Sequence, residues 1–205
     1  MSDPSRGGGS WSEQLILASA SPRRAALLDQ LGLRYRRCAV AVDETPLNAE
    51  DPAAYVERLA LAKARAGQSA SRDPGLPVLG ADTTVVHAGV VMGKPDDEPA
   101  ACEAILQLSG CAHEVLTAVA VAQGSRHEIR LSRSVVHFRR IEESEAQAYA
   151  RTGEGADKAG GYAIQGIGGV FVTRIEGSYT GIVGLPIAET EALLLAFGVD
   201  TWQYR

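Results

Sequence analysis

The segment Ser19-Ala20-Ser21-Pro22-Arg23-Arg24 gathers two guanidinium groups and two hydroxyls at one point of the chain. Leu15-Ile16-Leu17-Ala18, just before it, reads as a short buried strand. Ser21 suits a helix N-cap and Pro22 a first helical residue. Leu27, Leu28 and Leu31 then follow at helical spacing, and Gly32 stops the helix. Arg23 and Arg24 therefore fall in the first turn, where the helix dipole disfavours a cation by a few tenths to ~1 kcal/mol. A local conflict of this kind is expected at functional sites. Free N–H groups, hydroxyls and guanidinium groups at one helix start suit an anion, most naturally a phosphate. Two solvated arginines on an exposed turn are the plainer alternative.

Asp82 is the first candidate for a catalytic carboxylate. The apolar run from Pro77 predicts a strand ending at Asp82, and Gly80 and Ala81 leave space around it. Ligands in open α/β sheets collect beyond the carboxyl ends of strands. A turn or N-cap aspartate is the alternative. Asp43-Glu44 is expected to end a second strand, Arg34 to Val42. Side chains adjacent on an extended segment point to opposite faces, so one of the two would face a shared cleft. That carboxylate and Asp82 could together hold Mg²⁺ or Mn²⁺, which prefer oxygen ligands. The alternative is a solvated acidic loop before Pro46.

Lys63 falls on the apolar stripe Val56, Leu59, Ala60 of a predicted helix. Either its stem carries the amine to the surface, or it marks where the buried face opens into a charged cleft. Lys94, in Met92-Gly93-Lys94-Pro95, suggests a phosphate-binding lysine outside any Walker A loop. Gly89 and Gly93 are separated by three residues where that loop has four, and Pro95 replaces its Ser or Thr. The glycine-dense stretch from Gly153 to Gly169 holds Asp157, Lys158, Tyr162 and Gln165. Its glycines permit close backbone approach to a ligand, and a buried glutamine can read a base edge with one donor and one acceptor group. The four histidines show no HExxH pattern and no serine sits in a GxSxG elbow.

Alternating strand and helix signals must position these groups. Helices are expected from Pro52 to about Ser69, Asp97 to Leu108, Glu142 to Arg151 and Pro186 to Phe197. Val85-Val86 and Val90-Val91-Met92 flank a hairpin at His87-Ala88-Gly89. Val115 to Ala122 and Ile129 to Phe138 read as two strands joined at Gln123-Gly124-Ser125, and Val170 to Ile175 as a last one. Hairpins among helices argue for an α/β fold with a mixed sheet.

The 205 residues, 45% hydrophobic, suffice for one substantial core or two lobes sharing a cleft. A net charge of -5 argues against general binding to nucleic acid or an anionic membrane, so an anion site must be a local basic pocket. Cys38, Cys102 and Cys111 are odd in number and lack metal-ligand spacing, which fits a reducing, cytoplasmic setting. No apolar run is long enough for a transmembrane helix. The glycine-rich start reads as a flexible tail over 1–14, with no signal-peptide core, ahead of a single domain over 15–205.

In order along the chain, Leu17-Ala18-Ser19-Ala20-Ser21-Pro22-Arg23-Arg24, Val42-Asp43-Glu44, Leu59-Ala60-Leu61-Ala62-Lys63-Ala64, Gly80-Ala81-Asp82-Thr83, Gly93-Lys94-Pro95, Leu108-Ser109-Gly110, Asp157 to Gly166 and Val183-Gly184-Leu185-Pro186 resemble the Maf, or septum-formation-inhibitor, family. The resemblance implies nucleoside triphosphate pyrophosphatase activity, with a divalent metal, releasing a nucleoside monophosphate and pyrophosphate. It also implies a mixed twisted sheet with two lobes around a deep cleft, similar to inosine triphosphate pyrophosphatases. The family's general base falls on Asp82, its metal-binding glutamate on Glu44, and its phosphate contacts on Ser19, Arg23, Arg24, Lys63 and Lys94. Arg23, Thr83 and Gln165 are similar to the branch that takes dTTP and UTP. Thr83 and Gln165 would then meet the pyrimidine edge. Gly155 stands where a proline is common, which would loosen that loop. The resemblance leaves a homodimer open. Two other readings are a nucleotide-binding regulator of cell division and the same chemistry on a modified purine nucleotide.

Overall fold

The computed structural model describes residues 12–202. Most of the expected tail lies outside them. Gln14, at its end, is tied down: its N–H donates to Arg34 O at 2.8 Å, and its Oε1 accepts from Arg34 N at 2.9 Å.

Seven strands form one mixed sheet: β1 Leu15–Leu17, β2 Tyr35–Arg37, β3 Val78–His87, β4 Val90–Met92, β5 Ala112–Gln123, β6 Arg126–Phe138 and β7 Val172–Glu176. The order is β2-β1-β3-β5-β6-β7, with β4 also on β3. β1 lies parallel to β2 and β3; every other pairing is antiparallel. Helices α1 Pro22–Gln30, α2 Pro52–Ala70, α3 Glu98–Leu108, α4 Glu143–Ala150, α5 Tyr179–Val183 and α6 Ile187–Ala196 cover it, with two 3₁₀ turns at Ala159–Gly161 and Ile167–Phe171.

Local signals explain most element ends. Ser21 Oγ accepts from Arg24 N, Pro22 opens α1, and Gly32 has φ 68° just past its end. The β3–β4 turn places Ala88 and Gly89 at φ 50° and 79°, the two positive values a two-residue hairpin turn of this hand requires.

Two differences from the sequence reading bear on the site, and a third is that Val170 and Phe171 belong to a 3₁₀ turn ahead of β7. β2 stops at Arg37, because its neighbour β1 offers just three residues to pair with. Asp43-Glu44 therefore lies in a loop and does not end a strand. β3 runs on to His87, because β5 pairs with it from Val78 to Val86. Asp82 is thus a mid-strand residue.

The other edge of β3 is divided. β1 pairs with Val78 and Leu79, β4 with Val85 to His87, and the ladder is open between them. The core divides at the same level. Leu79, Ala81, Val119 and Val121 pack with α1 and α6, while Val85 and Val115 pack with α3, α4 and the aromatic rings of Phe138, Tyr149 and Tyr162. The long strands are shared by two lobes, and a cleft of about 530 Å³ opens where the edge is unpaired.

Candidate active site

Asp82 and Thr83 sit side by side in that gap and point to opposite faces of the sheet. On the Asp82 face, Gly80 lies against α2. A Cβ there would come within 2.3 Å of Ala60 O and 2.5 Å of Ala64 N. This close approach brings Lys63, one turn along the same α2 stripe, over the strand. Lys63 does not run out to solvent. Its Nζ lies 2.6 Å from Asp82 Oδ1 and 2.6 Å from Glu44 Oε1. The lysine holds together two carboxylates that come from different parts of the chain.

Glu44 reaches this position because α2 secures its loop. Tyr55 Oη donates to Glu44 O at 3.0 Å. Arg58 grips both Glu50 oxygens at 2.6 and 2.7 Å and donates to Thr45 O. Tyr55 and Arg58 are three apart, on one helix face. Sequence reasoning missed both, although that spacing was the available signal. Asp43 turns inward on its own loop and accepts from Thr45 N at 2.9 Å, leaving Glu44 alone toward the cleft.

The two carboxylates differ electrostatically. Burial raises Asp82 above the ordinary carboxylate range, against the pull of Lys63 and Arg24. At Glu44 burial acts the same way, but the hydrogen bond and charge of Lys63, with Lys94 and Arg24 beyond, outweigh it and leave the group below its usual value. Environments that push neighbouring carboxylates apart suit them to different tasks.

On the Thr83 face, Arg24 Nε donates to Gly184 O at 2.8 Å and its Nη2 to Thr83 Oγ1 at 3.2 Å. Burial lowers the Arg24 pKa, while the Asp82 carboxylate opposes that effect. Arg23 lies 3.6 Å from Asp157 Oδ2 across the cleft mouth. Lys94 is exposed on the loop after β4, whose Gly93 O accepts from Gly160 N at 3.1 Å.

Arg23, Arg24, Glu44, Lys63, Asp82, Thr83, Lys94 and Gln165 all line the one cleft. Ser19 does not. It is buried beneath the α1 start, where its Oγ accepts from Ser21 N at 3.1 Å and fixes the approach to the helix. Gln165 stands exposed at the rim and is not buried. Tyr55, Tyr162, Lys158 and Gly184 line the cleft as well. Five cationic side chains there face three carboxylates, so an acidic protein carries a locally basic cleft.

The glycine-dense segment is built around Glu154. Its carboxylate accepts from Ile167 N and Gly168 N, each at 2.9 Å, and from Tyr149 Oη at 2.8 Å. A Cβ on Gly166 would fall 1.8 Å from Glu154 Oε1. Gly155 does not loosen the loop. A Cβ there would meet Gly161 O at 1.9 Å, so its glycine permits a close backbone crossing.

The donor set fits a divalent cation. Mg²⁺ is commonly held by one or two carboxylates, with substrate phosphates and water completing its shell. Glu44 and Asp82 supply two carboxylates on one cleft wall. Among the described residues no cluster of three His, Cys, Asp or Glu adds to them.

A mixed-sheet α/β protein with a basic cleft, a helix start and paired carboxylates at its base belongs to the class that handles phosphorylated ligands. The Maf-like protein family model matches residues 14–197. A dTTP/UTP pyrophosphatase of Saccharophagus degradans is 51% identical over 194 residues, covering 94% of this chain and 92% of that protein. A dTTP/UTP pyrophosphatase of Pasteurella multocida is 46% identical, covering 91% and 97%. The solved structure of the Staphylococcus aureus Ham1 protein matches with TM-score 0.40 and 14% identity over 63% of this chain and 72% of its own. The chain belongs to the Maf-like family.

Proposed function

We propose that this protein hydrolyses the α–β phosphoanhydride of dTTP and UTP, releasing the nucleoside monophosphate and pyrophosphate. The observation that carries the reading is the Glu44–Lys63–Asp82 bridge at the base of a basic cleft. The two relatives described above are dTTP/UTP pyrophosphatases that this chain matches over nearly its whole length.

Arg23, Arg24, Lys63 and Lys94 offset the charge of the triphosphate and orient it. Asp82 orients the attacking water and takes its proton, a role favoured by the burial that raises its pKa. Glu44 and Asp82 would hold a Mg²⁺ or Mn²⁺ ion, which would supply charge neutralisation on the phosphates. Phosphoryl transfer asks for little covalent chemistry from the protein, so positioning and charge dominate. Thr83 and Gln165 meet the pyrimidine edge. The free cysteines and net charge of -5 favour a cytoplasmic setting without nucleic-acid or membrane partners. No helix among the described residues is long and apolar enough to cross a membrane.

The test is pyrophosphate release from dTTP, UTP, CTP, GTP, 7-methyl-GTP and ITP with either metal. Release from dTTP and UTP above the others is expected. Tight binding of a nucleotide without release would replace the enzyme with a nucleotide sensor.

A further inference from the structure

Thr117, buried on β5 directly across from Thr83, has one hydroxyl proton and two oxygen neighbours. Its Oγ1 lies 2.8 Å from Gly181 O and 3.0 Å from Thr83 Oγ1. A carbonyl oxygen can only accept, so the Thr117 proton belongs to Gly181 O. The contact between the two hydroxyls must then use the proton of Thr83, with Thr117 Oγ1 accepting. A guanidinium can only donate, so Arg24 Nη2 occupies one lone pair of Thr83 Oγ1 at 3.2 Å. Thr83 is left facing the cleft with one lone pair and no proton.

We infer that Thr117 is a positioning residue that fixes Thr83 as a pure acceptor, so that the cleft favours a pyrimidine carrying a donor at N3 over one with a bare ring nitrogen. Uracil and thymine carry N3–H; cytosine presents N3 as an acceptor. An acceptor opposite an acceptor leaves both without a partner in a desolvated site, which is how polar pockets reject near-isosteres. The relay also explains why the hydroxyl chain ends on Gly181 O. That carbonyl belongs to α5, whose next residues bring Gly184 O to Arg24. One line of hydrogen bonds thus orients both the arginine and the threonine.

The inference rests on the reading that Thr83 meets the base, and the experiment separates the two. Steady-state kcat/KM is measured for UTP and CTP with wild type, Thr117→Val and Thr117→Ser. Valine keeps the shape and removes the relay, freeing the Thr83 proton. We expect wild type to prefer UTP, Thr117→Val to cut that preference by about tenfold through a selective gain on CTP, and Thr117→Ser to stay near wild type. A merely structural role for Thr117 would lower both nucleotides together and leave their ratio in place, which would overturn the inference. Equal turnover of UTP and CTP by wild type would overturn it without any variant, whether or not the valine protein folds. Absence of release from UTP and dTTP by wild type would defeat the functional reading itself and this inference with it.

Discussion

Asp82 and Thr83 are consecutive on β3 and project from opposite faces of the sheet, yet both line one cleft. The reason is the interruption between β1 and β4, which leaves this stretch of β3 as an open edge accessible from both sides. Lys63 and Glu44 approach from one face, Arg24 and Gly184 from the other. A continuous ladder would have separated the two sets of groups by the thickness of the sheet.

Asp82→Asn keeps the shape of the side chain and removes its charge and basicity. Loss of a positioned general base costs typically ~10²–10⁴-fold in rate. We expect kcat to fall in that range while calorimetry still detects nucleotide binding, because the basic residues of the cleft are intact. Turnover near the wild-type value would remove Asp82 from the proton transfer.

Much of this arrangement was legible in the sequence, and the illegible part has a physical reason. The α1 start, the β3–β4 hairpin and the place of Lys63 on the α2 stripe each follow from residues within one or two turns of each other. The Asp82 mid-strand position does not, because it depends on the ladder that pairs it with Ala118, more than thirty residues away, and that continues on to Val86. The Arg24–Gly184 bond joins residues 160 positions apart, and no local pattern announces it. Helix α5, five residues long, is too short to show a period and was not anticipated. Residues 39–42, expected to continue the second strand, alternate like one but find no ladder partner past the end of β1. Ser19 resembles a phosphate ligand by its motif; its Oγ accepts from Ser21 N and keeps its own proton to donate.

Gly80→Ala tests the seat of Lys63. The new methyl group would meet Ala60 O and Ala64 N, backbone atoms that cannot rotate away, at 2.3 and 2.5 Å. Overpacking of this kind typically costs ~1–3 kcal/mol. We expect a lower urea midpoint. We also expect a disproportionate loss of kcat/KM, since the displaced helix carries Lys63 away from Asp82. Unchanged stability would mean that α2 and β3 separate more readily than their packing suggests.

Glu154→Gln replaces a carboxylate that accepts three hydrogen bonds, one of them from Tyr149 Oη. An amide has one acceptor oxygen, and its NH₂ faces the backbone donor that the second oxygen once served. Bonds to a charged group are worth about 1.5–3 kcal/mol each, so the loop from Glu154 to Gly168 should open locally. Hydrogen exchange at Ile167 and Gly168 is expected to accelerate, with KM for dTTP rising more than kcat falls. Exchange as slow as in wild type would show that other contacts hold the loop.

His113 supplies a pH dependence of stability. Burial lowers its pKa from 6.5 to about 4, and its Nε2 lies 2.8 Å from Tyr162 Oη, on the cleft wall. In the unfolded chain the group takes up a proton near its ordinary value, while in the fold it resists until about 4. Between those values the unfolded state binds more protons, so stability falls as pH falls. Full expression of the difference corresponds to about 3 kcal/mol, since each tenfold in proton affinity is worth ~1.4 kcal/mol. Urea unfolding followed from pH 7 to 4 should show this decline, and His113→Phe should flatten part of it. Near the acid end, protonation is also expected to loosen the aromatic cluster of His113, Phe138 and Tyr162, whose rings stand 4.8–5.4 Å apart. Tyr162 is then expected to lose its place in the cleft before global unfolding, seen as a rise in KM at pH values where the fold persists. Parallel pH profiles for wild type and His113→Phe would show that other groups set the acid sensitivity.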